Sequence, residues 1–215
     1  MMARSAFIIC ALGLLALLAV MAPGAGAATT ITLDQLDRAI PDRIGSSSCA
    51  TSECATNTQA LSSINKAIAK YGVTQMGEIT ALISLMAYES GDWLYNINHY
   101  PGRAGQGTRA MLMYNFVSEY ASQLHPADAK KVLVAGAVTD TVENSVRALV
   151  LNDDDSFGSA FWYLVNHAAA YHGNDSHLRV GNFADFKDYV TNGVGAGWDD
   201  SRRTVWERVN SALNG

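Results

Sequence analysis

Between Ile79 and Glu89 the chain reads Ile-Thr-Ala-Leu-Ile-Ser-Leu-Met-Ala-Tyr-Glu. With Met76, the apolar residues Ile79, Leu82, Ile83, Leu85 and Met86 fall nearly all the way round a helical cylinder. A helix over roughly residues 74–89 therefore has no face to give to water. Such a helix belongs at the centre of a helical domain, with other elements packed around it. It also ends on a carboxylate, Glu89, followed by Ser90 and Gly91. A helix C-terminus carries partial negative charge, and an apolar wall disfavours an ionised carboxyl. Both are expected to raise the proton affinity of Glu89 toward the range of a general acid. A solvated carboxylate at an exposed helix end is the plain alternative.

Amphipathic segments flank this one on both sides. Thr32-Leu33-Asp34-Gln35 has the form of a capping box opening a short helix that stops before Pro41. Leu61, Ile64, Ala67 and Ile68 recur at helical spacing up to a cap at Gly72. Thr108 to Leu124 reads as a helix, and Pro126 suits the first position of the next one, with Asp128 in its first turn. The β-branched residues of Val132–Ala137 leave a strand open. A helix from Thr139 or Thr141 through Leu151 follows, then a polar break at Asn152–Asp155. An aromatic-rich helix over Ser156–His172, a short helix over Val180–Val190 and a terminal helix from Asp199 or Ser201 through Leu213 complete the chain. The predicted fold class is mainly α: a single helical domain, residues 28–215, around a buried central helix.

Residues 1–27 have the pattern of a secretory signal: Arg4, then an apolar run from Phe7 to Val20, then Ala25-Gly26-Ala27 before the expected cut. The run is too short for a membrane anchor to be preferred, and no later segment reaches spanning length. The mature protein is expected to be secreted, extracellular, soluble and monomeric. In that compartment Cys49 and Cys54 should form a small-loop disulfide. Asn174-Asp175-Ser176 is a glycosylation acceptor. The formal net charge is −5, and cleavage removes Arg4 as well. That argues against nucleic acid as a partner, and taken alone it mildly favours a neutral or cationic polymer.

After Glu89 comes a loop that mixes aromatics with amides, Trp93-Leu94-Tyr95-Asn96-Ile97-Asn98-His99-Tyr100. Sugars present apolar faces rimmed by hydroxyls, so they need stacking surfaces and side-chain hydrogen bonds. Trp93 and Tyr95 suit that role and equally suit plugging the core under a loop. Asp92 is a candidate second carboxylate, or a loop cap. His99 reads as a hydrogen-bonded loop residue rather than a base. Gly102, Gly105 and Gly107 precede no Lys-Ser/Thr, so a phosphate loop is disfavoured. They let backbone approach a ligand, with Gln106 and Arg109 aimed at a cleft or at Glu89. No nucleophile elbow surrounds Ser90, and no His has an evident acidic partner in sequence. His167 and His172 are off the one-face helical spacing, and Asp153–Asp155 lacks the alternation of a calcium loop, so neither a metal nor a cofactor is expected.

Three blocks carry a resemblance. They are Tyr88-Glu89-Ser90-Gly91, the segment Gly102 to Met111, and Ala169-Ala170-Tyr171-His172-Gly173. Together, in this order, they are similar to the lysozyme-like superfamily, nearest to goose-type lysozymes and soluble lytic transglycosylases. Two departures stand out. The usual Gly-Leu-Met-Gln is replaced by Gly-Gln-Gly-Thr-Arg-Ala-Met, and His172 stands where an Asn follows the tyrosine. The resemblance implies a lysozyme-like helical fold, no cofactor, and cleavage of β-1,4 bonds between N-acetylated amino sugars. By the resemblance Glu89 would be the acid with Tyr171 beside it; Asp92 as a second carboxylate, and Trp93, Tyr95, Gln106 and Arg109 as substrate-binding residues, come from the reading of the loop and glycine segment. Peptidoglycan is the expected polymer. Chitin or chitosan is the alternative, and so is a non-catalytic polysaccharide-binding protein on the same scaffold.

Overall fold

The computed structural model describes residues 29–133 and 138–215. The signal expected over residues 1–27, and most of the stretch left open as a strand, lie outside the described residues. The described chain is mainly α. Its helices are α1 (Leu33–Ala39), α2 (Asn57–Tyr71), α3 (Met76–Ser90), α4 (Tyr114–Leu124), α5 (Pro126–Leu133), α6 (Asp140–Ala148), α7 (Asp153–His167), α8 (Phe183–Asp188) and α9 (Asp200–Asn214). Among the described residues β pairing is limited to isolated bridges, Ile97 with Gly107 and Gly107 with Leu112. No described helix is long and apolar enough to cross a membrane.

Local chemistry sets the helix ends. Thr32 and Gln35 close a reciprocal capping box on α1, and Thr56 and Gln59 do the same on α2. The hydroxyl takes the third backbone N–H while the amide returns to the cap, so two orphan donors are satisfied at once. Thr139 caps α6, Asn152 caps α7 and Asp199 caps α9. Cys49 and Cys54 are joined, with their Cα atoms 5.3 Å apart.

Helix α3 is the axis. Every residue from Gly77 to Ala87 is buried, as the absence of a polar face predicted. Its buried hydroxyls turn back onto its own carbonyls: Ser84 Oγ donates to Thr80 O and Ser90 Oγ to Met86 O, each at 2.7 Å. Helix α9 and the turn His177–Val180 pack on α3, and α7 packs on α2. One continuous apolar cluster runs through these elements, from Ile31 to Leu213. The first-turn Glu78 of α3 is fully buried. It accepts from Gly173 N (2.7 Å) and Ser176 Oγ (3.2 Å) and meets His172 Nδ1 at 3.1 Å, so the 172–176 loop is tied across the start of the helix.

Three expected boundaries move. The helix predicted from Thr108 starts only at Tyr114, because Gly107 is held in both bridges and Thr108 and Met111 adopt left-handed backbone (φ 70° and 47°). The acidic run Asp153–Asp155 is the first turn of α7 rather than a break, and α7 stops at His167, short of His172. The short helix α8 passes directly into a wider-than-α turn, Tyr189–Gly193.

Gly77 is where α3 meets the chain most closely. A Cβ there would lie 2.1 Å from Leu178 O and 2.7 Å from both Arg179 O and Gly181 N, all backbone atoms that cannot rotate away. In an open helix Gly→Ala stabilises by about 1 kcal/mol. Here Gly77→Ala is expected to destabilise by roughly 2–3 kcal/mol through overpacking. Urea unfolding decides it by the sign of the change.

Candidate active site

Glu89 occupies the last turn of α3, and the residues after it reverse the chain at once. Gly91 takes left-handed backbone, and so do Asp92 (φ 53°) and Trp93 (φ 66°), where a side chain makes that conformation costly. Ser90 Oγ accepts the Trp93 N–H at 3.0 Å and fixes the reversal. The turn sends Trp93 inward, where its Nε1 donates to Asn57 Oδ1 (3.1 Å) and its ring meets Phe157 edge-on at 5.1 Å. The carboxylate of Glu89 stays at the surface.

Arg202, the third residue of α9, donates from Nη2 to Glu89 Oε1 at 2.7 Å. Its Nε donates to Gly197 O at 3.0 Å, and its guanidinium carbon lies 3.9 Å above the Tyr88 ring. Arg202 is only 6% exposed, and its Nη1 has no partner among the described residues. Behind it the Tyr88 hydroxyl donates to Asp199, which also accepts from Ser201; those bonds hold the Asp199 carboxyl down at about 2. The end of α3 and the start of α9 are thus latched through Tyr88, Glu89, Asp199 and Arg202. With Oε1 taken by Arg202, Oε2 is the oxygen of Glu89 left to face a ligand.

Two clefts, each of about 420 Å³, meet at this residue. Volumes of that order suit a small-molecule or oligomer subsite. The first is walled by Arg202, Arg103, Phe116, Tyr163 and the segment Val194–Ala196. The second is walled by Tyr95, Ile97, Asn98, His99 and Tyr100. Glu89, Gln106 and Met111 line both. The result is a groove with one carboxylate at its middle. Gly107 forms the close approach beneath: a Cβ there would sit 2.6 Å from Asn96 O and from the Arg147 side chain.

The predicted site residues divide. Glu89, Tyr95 and Gln106 come together in the groove, and the Gln106 amide donates to Met111 O at 3.0 Å. Trp93 is fully buried, so the stacking role is corrected to the core role. Arg109, expected in the cleft, is 1% exposed. It donates to Trp93 O and Tyr95 O at 2.9 Å and to Glu53 O at 2.6 Å. Burial pushes its guanidinium down to about 10, countered in part by the Asp153 and Glu53 carboxylates. Asp92 lines neither cleft and pairs with Arg208 at 2.6 Å. Tyr171 lines neither cleft; its hydroxyl donates to Asp188 at 2.7 Å and its ring packs on Tyr189. Asn174 is exposed, its side-chain oxygen accepting from Gln75. His167 pairs with Glu119, and His177 stands 3.8 Å from Asp185; among the described residues no three His, Cys, Asp or Glu are grouped as a metal site.

Arg202, Arg103 and Tyr163 belong to the groove and were missed. One signal for Arg202 was present. A cation in the first turn of a helix opposes the helix dipole, so an arginine there invites a search for the anion it serves. Tyr163 lies amid an aromatic run with nothing local to set it apart.

No family model matches the chain, and no solved structure matches it. Over 110 residues, half of this chain, the sequence is 38% identical to part of a protein described as a bifunctional dioxygenase–epoxy alcohol synthase of Fusarium oxysporum (strain Fo5176). The match spans 8% of that relative's length.

Arg109 ties the Trp93–Tyr95 turn to the disulfide loop through three carbonyls. Arg109→Ala leaves those buried acceptors unmet and should cost about 3–5 kcal/mol in denaturant unfolding. Arg109→Lys keeps the charge without the fork and should recover only part of that loss.

Proposed function

We propose that this protein is a secreted glycoside hydrolase that cleaves β-1,4 bonds of peptidoglycan, with Glu89 as general acid. The observation that carries the proposal is the position of Glu89, the one carboxylate where two clefts join. A polymer lying along the groove has units on both sides of the scissile bond, and Glu89 Oε2 faces the bridging oxygen. Protonating that oxygen lets the C1–O bond break with its electron pair on the leaving sugar. Water, or the acetamido oxygen of the substrate itself, completes the displacement at C1.

The groove chemistry supports the polymer class. Tyr95 is 42% exposed and Tyr100 92%, which gives the second cleft aromatic faces for sugar rings. The first cleft carries Arg103 and Arg202, with Glu89 as its carboxylate. With Arg202 paired to Glu89, the exposed Arg103 is the cation left over in that cleft; it suits a glycan bearing carboxylates over the ammonium groups of chitosan, against the inference drawn from the net charge of −5. The disulfide and the absence of a spanning helix among the described residues support secretion. The match covers 8% of the Fusarium relative, so the activity in its name contributes no residue role here.

A polysaccharide-binding protein without catalysis is the second reading. It is favoured by the outward pairing of Asp92 with Arg208, which leaves the first cleft a single carboxylate.

The test is release of soluble fragments from purified peptidoglycan and from chitin oligomers near pH 5. The parent protein is expected to cleave peptidoglycan. Glu89→Gln, with its melting temperature kept, should lose about 10²–10⁴-fold in rate. No fragment release by the parent, with polymer binding kept, would make the binding protein the better reading, and equal non-zero rates would remove Glu89 as the acid. Arg103→Gln, at the exposed rim, should raise KM for peptidoglycan several-fold and leave chitin oligomers unaffected.

A further inference from the structure

The second cleft holds an imidazole backed by a carboxylate. His99 lines it together with Glu89, and His99 Nε2 lies 2.9 Å from Glu53 Oε1. An ionised carboxylate can only accept, so the hydrogen sits on Nε2 and Nδ1 is left as the basic nitrogen. The ring is half exposed and stands edge-on to Tyr95 at 5.2 Å. Water therefore reaches it, while its orientation is set from both sides.

Glu53 is itself fixed in place. It precedes Cys54 inside the disulfide loop. Its Oε2 accepts the Asn96 N–H at 3.3 Å, and its carbonyl accepts from Arg109 at 2.6 Å. The charged and titratable groups around the pair come from several elements. Arg109 and Arg147 act on Glu53 through space, while Glu89, Tyr95 and Tyr100 share the cleft with the ring. A carboxylate that orients a histidine, whose other nitrogen faces a reacting centre, is the arrangement that makes a general base.

We propose that His99, positioned by Glu53, is the base that activates the attacking water, so that the enzyme inverts configuration at the anomeric carbon. This rests on the hydrolase reading and answers what replaces the missing second carboxylate. Water gives a proton to Nδ1 as its oxygen bonds to C1 from the face away from the leaving group. The C1–O bond breaks, its electron pair goes to the leaving oxygen, and that oxygen takes the proton of Glu89. The products are a free hydroxyl and a hemiacetal of inverted configuration. Solvent then removes the proton from His99 and returns one to Glu89. His99 contacts the reacting water; Glu53 acts only through His99.

The test compares the parent, Glu89→Gln, His99→Ala, His99→Gln and Glu53→Gln on peptidoglycan glycan strands and on an N-acetylglucosamine hexamer. Fresh product is read by proton NMR. The parent should release the α-anomer first. His99→Ala should lose about 10²–10⁴-fold in kcat with KM within a few-fold, and added imidazole should restore part of that rate. Imidazole would leave a purely structural loss unchanged. Glu53→Gln should lose less than either His99 variant. His99→Gln keeps a donor for Glu53 and separates loss of the base from loss of the loop. A β-anomer from the parent, or parental kcat in both His99 variants, overturns the proposal while leaving the hydrolase reading to the Glu89 variant; a 1,6-anhydro product, formed with no water added, overturns the proposal and the hydrolase reading together. No cleavage by the parent on either substrate overturns both.

Discussion

Helix α3 gives water no face, and that confines its polar chemistry to its two ends. Each end carries a glutamate, and their surroundings separate their roles. Glu78 is fully buried and meets three donors from one loop. Its bonding capacity is spent on fold, and a buried carboxylate in that state is costly to disturb. Glu89 has one donor, from Arg202, and opens onto a groove. The same residue type on the same helix is structural at one end and available for chemistry at the other. What differs is how many partners the packed elements bring to each.

Features that depend on neighbours in sequence were legible. The capping box at Thr32, the burial of α3 and the Cys49–Cys54 link all follow from residues a few positions apart; the equally local box at Thr56 was passed over as polar loop. Features that depend on partners far along the chain were not. Arg109 reads as a cleft residue because arginines are seldom buried. Yet the reversed turn at Trp93–Tyr95 and the disulfide loop leave carbonyls that need a donor, and a guanidinium meets three at once. Trp93 goes inward because Asn57, 36 residues earlier, supplies an acceptor for its indole. His99 has an acidic partner after all, but Glu53 lies 46 residues away across the disulfide loop. Its pairing is tertiary, and no spacing rule reaches it.

Electrostatics follows the same division between total and local. A chain of net charge −5 repels an anionic polymer at long range, where salt screens the repulsion within about 10 Å at 0.1 M ionic strength. Inside the first cleft the nearest charges are Arg103, Arg202 and Glu89, and contact distances there are well within that length. Those side chains set the local field that any ligand in the cleft would meet. The overall charge governs solubility and the rate of encounter.

A decayed scaffold and a working enzyme differ in what they retain at a site the core does not need. Four non-glycine residues with left-handed backbone, Asp92, Trp93, Thr108 and Met111, lie in the two segments that frame Glu89. Each costs about 1–3 kcal/mol and persists only where its surroundings impose it. Arg202 adds a guanidinium that is 6% exposed, with an unmet N–H, in a helix turn whose dipole opposes it. An apolar residue there would satisfy packing with α3 at lower cost. Core packing accounts for Trp93, whose indole is buried against Phe157 and bonded to Asn57, and leaves the Glu89–Arg202 pair as the costly feature that opens onto a cleft.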